Sequence, residues 1–164
     1  MKKMTHIIFG TGMGTFYLSI FAFLYKIYLG PLFFLFILIF VFISQMNDYL
    51  DYKLYSQHTR HFLTHSPFSP LLIISSLGIG LLCSLVFSLL FSVQISVISY
   101  LICICHIALD SFNPSGIPIL PKRRYFPRKP IKYDDKALNT IFILIGVVFM
   151  IFGVLISLSF LALI

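Results

Sequence analysis

HFLTHSPFSPLLIISSLGIGLLCSLVFSLLFSVQISVISYLICICHIAL, residues 61–109, holds no lysine, arginine, aspartate or glutamate. As one helix it would run about 70 Å at ~1.5 Å per residue, more than twice the ~30 Å apolar thickness of a bilayer. It therefore has to fold back on itself, and Ser92-Val93-Gln94 is the mildest of interruptions at which to do so. The rest of the chain has the same character. Mean hydropathy is +1.00, and only 10% of the 164 residues are charged. A soluble domain of this size has no core large enough to hide so much apolar surface. The apolar runs lack period-2 alternation, which excludes a membrane barrel, and in lipid they must satisfy their backbone internally as helices.

These constraints predict an all-α, polytopic membrane protein, a single integral membrane domain over 1–164. Five spans are expected, at about 7–29, 32–47, 70–91, 95–111 and 140–164. Gly30-Pro31 breaks the first from the second. Lys2-Lys3 before an apolar run resembles a secretory signal, but the run is long and no clear small-residue cleavage site follows, so it reads as a retained span. Lys2, Lys3, Lys53, Arg60 and the loop cations Lys122, Arg123, Arg124, Arg128, Lys129, Lys132 and Lys136 fall on one side by this count. Only Lys26 falls near the other, where it can snorkel. Basic loops stay inside, so the amino terminus is expected in the cytoplasm and the carboxyl terminus outside. The net charge of +7 then faces anionic headgroups, with membrane lipids as partners of the basic loop and no nucleic acid expected.

Every histidine and aspartate lies in one of three polar stretches: around His6, from Asp48 to Ser66, and from His106 through Asp110 to Asp135. An even number of crossings separates each stretch from the next, so all are expected at the cytoplasmic end. His106 and Asp110, four apart, share a helix face. They suit either a shared cation or a plain His–Asp pair. Asp48 and Asp51 lie three apart where the second span leaves the membrane, and His61 and His65 lie four apart. Imidazole and carboxylate together suit zinc, manganese or iron better than calcium. Cys103 and Cys105 point to nearly opposite sides of a helix and, with Cys83, read as packing residues. Asn113-Pro114-Ser115-Gly116 is a turn signal. Gly10 and Gly14 form a small-residue pattern for close helix packing. Arg60 and the Lys122-Arg123-Arg124 cluster are candidates for phosphate contact, although positive-inside placement alone accounts for such a cluster.

Thr5-His6, an Asp-x-x-Asp element, Arg-x-x-x-Thr-His-Ser and His-x-x-x-Asp before a Pro-Ser-Gly turn resemble, in this order, the YdjM-like family of membrane-bound metal-dependent hydrolases. The family's Pro-Asp-x-Asp-His element reads Asn47-Asp48-Tyr49-Leu50-Asp51 here, and its His-Arg pair reads His58-Thr59-Arg60-His61. A more distant likeness is to the zinc-dependent phospholipase C superfamily. The resemblance implies Asp51, His65, His106 and Asp110 as ligands of one divalent metal, zinc above all, with Asp110 bridging to a second held by His6. The aspartate that is not a ligand, taken as Asp48, would be general base or would orient a ligand histidine, and Arg60 would hold an anionic group. The chain has no glutamate and no histidine after His106, which limits the site to one or two ions. His58, Asp134 and Asp135 read as surface residues, and His61 stays open between ligand and loop. The function expected is hydrolysis of a phosphoester or another membrane-associated ester. The rivals are a metal-ion transporter and a non-catalytic scaffold. A metal-free lipid phosphatase has its motifs in another order.

Overall fold

The computed structural model describes residues 2–55, 60–120, 123–127, 132 and 135–161. The chain folds as helices α1 (Lys3–Leu24), α2 (Leu32–Tyr55), α3 (Phe62–His65), α4 (Pro70–Cys83), α5 (Leu89–Asp110) and α6 (Lys136–Leu161), with a small hairpin of β1 (Ile117–Leu120) and β2 (Arg123–Tyr125) between the last two. The all-α membrane architecture is as expected. Four helices, α1, α2, α5 and α6, are long and apolar enough to cross a membrane. The fifth, α4, has 14 residues and reaches only ~21 Å.

The helix ends follow from local chemistry. The expected first span to residue 29 stops at Leu24, because Lys26 takes a left-handed φ of 54° and Ile27 N–H turns back to Ala22 C=O at 2.8 Å. Expected to end near residue 47, α2 instead runs on to Tyr55, since no glycine or proline interrupts it, and Asp48 and Asp51 sit on the helix itself. The fold-back comes earlier than Ser92-Val93-Gln94: Ser84 closes α4, and the Ser88 hydroxyl accepts from Phe91 N–H at 3.4 Å to start α5. Ser69 caps α4, with Pro70 as its first residue. The Asp135 carboxylate accepts from Leu138 N–H at 2.8 Å and caps α6.

α1 packs against α2, α5 and α6, while α4 packs on α5. Its glycines are divided between two faces. A Cβ on Gly10 would lie 3.1 Å from Ser44 Cβ of α2, and one on Gly14 would lie 2.7 Å from Ile102 Cδ1 of α5. Gly12 faces the other way, and a Cβ there would strike the Gly146 carbonyl of α6; one on Gly146 would lie 2.6 Å from the Ile8 carbonyl. Glycine at these positions lets the backbones touch, the usual route to helix association in lipid. Leu18, Phe36, Phe40, Phe91, Ile95, Ile98 and Ile102 fill the space between α1, α2 and α5. α6 is the most apolar helix, with mean hydropathy 3.1, yet only 11% of that window is buried. Its outer surface is a lipid-facing one.

Gly12→Ala is expected to prise α1 from α6 and lower the thermal midpoint in detergent by the equivalent of about 1–3 kcal/mol. Gly78 has nothing within 4 Å of its Cβ position, so Gly78→Ala should leave the midpoint unchanged or raise it by about 0.5–1 kcal/mol. Equal midpoints for the two variants would contradict the seam.

Candidate metal centre

The polar stretches meet at one end of the bundle. His6 sits in the first turn of α1, Asp48 and Asp51 near the end of α2, His65 at the end of α3, and His106 and Asp110 in the last turns of α5. His106 and Asp110 share a face as their spacing requires, with Nε2 3.7 Å from Oδ2.

Four ligand atoms, one each from Asp48, His65, His106 and Asp110, lie within 4.8 Å of one another, and this group can hold a metal ion. Asp48 Oδ1 is 3.4 Å from both His65 Nε2 and His106 Nε2. Asp110 Oδ2 is 3.5 Å from His65 Nε2. Both Nε2 atoms are buried and have no hydrogen-bond partner; the carboxylates are near but not in line for a hydrogen bond. The distal ring nitrogens explain why. His106 Nδ1 is 2.9 Å from the Ser44 carbonyl, which can only accept, so Nδ1 carries a hydrogen. His65 Nδ1 lies 3.2 Å from Thr64 Oγ1 and 3.0 Å from Asp51 Oδ2. The Thr64 hydroxyl already donates to Asp51 Oδ1, so here too Nδ1 is the donor. Neutral imidazoles held in this way turn two bare Nε2 lone pairs toward two carboxylate oxygens. That arrangement is repulsive until a proton or a cation enters it. The donor set therefore fits a metal, with the outer nitrogens held by the Ser44 carbonyl and the Thr64 hydroxyl, the latter beside the Asp51 carboxylate.

In the metal-free state a proton takes that place on His65. Burial works against the imidazolium, but the adjoining carboxylates of Asp48, Asp51 and Asp110 outweigh it, and the pKa is pushed up to about 9.

The other expected site residues take supporting positions. Asp51 is not in the four-atom group: it accepts from Thr64 Oγ1 and from His61 N–H at 3.3 Å and faces the outer edge of His65. His6 stacks on His106 with ring centroids 4.0 Å apart and lies, through Nε2, 3.3 Å from Asp110 Oδ1. It too stays outside the four. The Arg60 guanidinium, expected to meet an anionic ligand, forks onto Asp110, with Nε to Oδ2 at 2.7 Å and Nη2 to Oδ1 at 3.0 Å, and also donates to Ser115 Oγ. Its left-handed φ of 47° turns the chain into that position. The His61 ring accepts from Leu63 N–H at 3.4 Å and caps α3. His58, Asp134 and three cations of the basic loop expected at lipid headgroups, Lys122, Arg128 and Lys129, lie outside the described residues.

Three supports were not anticipated. Asn113 Nδ2 donates to Asp110 Oδ1 at 2.9 Å, so the Asn-Pro-Ser-Gly turn, with Gly116 at φ 61°, is part of the site rather than only its exit. Thr64 and the Ser44 carbonyl fix the two imidazoles. The Thr-His-Ser element was visible in the sequence, but a backbone carbonyl in the middle of an apolar helix leaves no sequence signal. No protein-family model, curated protein or solved structure matches the chain.

The raised pKa of His65 has a defined consequence for stability. Below the unfolded value of 6.5 both states hold the proton and the contribution is complete; it is lost as pH rises from there through about 9. Metal-stripped protein should therefore melt at progressively lower temperature across that interval, and His65→Gln should flatten the decline. A wild-type midpoint that rises with pH over the same window would refute this account of the charge balance.

Proposed function

We propose that the chain is a membrane-embedded, metal-dependent hydrolase acting on a phosphoester, or a related ester, presented at the membrane surface. The observation that carries this reading is the pair of buried, partnerless imidazole Nε2 atoms facing Asp48 Oδ1 and Asp110 Oδ2. The order of the motifs, which resembles the YdjM-like family, supports the same reading. Two imidazoles and two carboxylates suit zinc, and a single ion is what four such atoms accommodate. His65, His106, Asp48 and Asp110 would be its ligands, with Asp48 in the place that the resemblance gives to Asp51. Asp51 orients His65, and the Ser44 carbonyl orients His106. Arg60 and Asn113 hold Asp110 and offset its charge. When bound, the cation would lower the pKa of a coordinated water and polarise the ester.

In the hydrolysis, the oxygen of water bonds to the ester's phosphorus or carbonyl carbon. The bond to the leaving oxygen breaks, and a proton from water passes to that oxygen as the alcohol departs. Asp48 is suited to carry the proton. It is the one carboxylate of the group open to solvent, its side chain 40% exposed, and with Oδ1 turned to the cluster it keeps a second oxygen for the transfer. A metal-ion transporter would place ligands through the depth of its bundle; here they gather at one end, which favours hydrolysis. The distribution of lysine and arginine favours the cytoplasmic side for that end.

Purified wild-type protein should carry about one divalent ion per chain by elemental analysis. His65→Ala, His106→Ala should lose it, with metal affinity down by more than ~100-fold and turnover of a chromogenic phosphoester lost with it. Wild-type protein that takes up no zinc, manganese or iron would end the proposal. Metal uptake without hydrolysis of any ester, coupled to ion flux in proteoliposomes, would replace it with transport.

A further inference from the structure

The four ligand residues are not equally enclosed. The side chains of His65, His106 and Asp110 are 3% exposed or less, that of Asp48 40%. Against this one open edge lies a groove of about 270 Å³ lined by Lys3, Phe42, Gln45, Met46, Asp48 and Tyr49. Lys3 comes from the first residue of α1. Positions 42, 45, 46 and 49 form one stripe along α2 at helical spacing. Phe42 and Tyr49 are 65% and 56% exposed, whereas Met46 is buried, so it is the Phe42 and Tyr49 side of the groove that lies on the outside of the bundle, on a helix apolar enough to span a membrane. Phe42 lies six residues before Asp48 on α2, about 9 Å along the helix axis toward the middle of the span. The groove is thus lined by apolar side chains leading away from the polar end, by one carboxylate of the metal group and by one ammonium.

We propose that this groove admits an anionic phospholipid sideways from the bilayer. Its headgroup phosphate sits between Lys3 and the Asp48 edge of the metal group, and its acyl chain lies along Phe42. The assignment deepens the hydrolase reading and rests on it for what happens to the lipid, but binding itself is measurable without turnover. Lys3 supplies the charge that the phosphate seeks. Arg60, the other cation of the site, is engaged with Asp110 and Ser115. A water-soluble phosphate ester would gain nothing from Phe42; a lipid in the bilayer already lies beside it.

The experiment compares a short-chain phosphatidic acid with glycerol 3-phosphate as ligands of the full-length, zinc-loaded protein in detergent, by calorimetry. Wild type should bind the lipid at least about tenfold more tightly than the chain-free phosphate, because apolar contact adds to the charge. Lys3→Glu should weaken lipid binding by about tenfold or more, and Phe42→Ala should weaken the lipid but not glycerol 3-phosphate. Zinc content should be unchanged in both variants, which shows that they fold. Equal affinity of the two ligands, or wild-type lipid binding by both variants, would overturn the groove and point to access from water. Protein that holds no zinc but still binds the lipid in a Lys3-dependent manner would sink the hydrolase reading and leave the groove standing.

Discussion

Asp110 is a carboxylate almost wholly withdrawn from water, 3% exposed at the end of an apolar helix. An uncompensated charge in such a place costs several kcal/mol, and much of this end of the bundle is arranged to avoid it. The Arg60 fork meets both oxygens, Asn113 and His6 approach Oδ1, and His65 and His106 approach Oδ2. These partners come from α1, the segment before α3, α3 itself, α5 and the turn after it. The carboxylate is therefore a knot that ties together parts of the chain with little apolar surface of their own, above all the short segment 60–69 and the turn 111–116.

The geometry on the membrane side is what lets these groups meet. α1 touches α2, α5 and α6, and it can do so because glycine and threonine line its contact faces. His6 reaches Asp110 only because Gly10 lets the helix lie close on Ser44 and Ile102. On the opposite face, the Thr5 hydroxyl donates to Asn139 Oδ1 at 2.6 Å, which fixes the start of α1 against the start of α6. Helix packing and the polar site are thus one problem. A shift of α1 by the width of a methyl group would move His6 away from its stack on His106 and from Asp110.

The charge pattern made much of this legible. In a chain so apolar, each aspartate and histidine had to be accounted for, and counting crossings was enough to bring His6, Asp48, His65, His106 and Asp110 to one end. What could not be read was rotation and register. Asp48 and Asp51 are three residues apart, about 60° around the helix, so spacing alone cannot tell which oxygen turns inward; the position of α3 decides it, by setting Thr64 and the His61 N–H against Asp51. Arg60 was visible as a cation but not as a partner of Asp110, because its placement depends on a left-handed backbone that arginine seldom adopts. The end of α4 was misplaced because the serines that cap helices are the same residue type that lines them elsewhere in this chain. Ser88 caps, whereas Ser92, Ser96 and Ser99 bond back to carbonyls of their own helix.

The charge balance of the cluster bears on what it holds. Asp48, Asp51 and Asp110 bring three negative charges, Arg60 brings one positive, and the histidines are neutral when both Nε2 atoms are bare. The remainder is two negative charges, the charge of one divalent cation. A proton on His65 offsets half of it, which is why the carboxylates hold that proton so tightly. An amide in place of one buried carboxylate would remove half of this excess, and Asn47 and Asn113 are such buried amides nearby. The acids are instead kept, and two imidazoles are locked so that their lone pairs point between them. Such an arrangement is repulsive when it is empty; a proton on His65 relieves part of it, and a divalent cation among the four atoms would balance the whole.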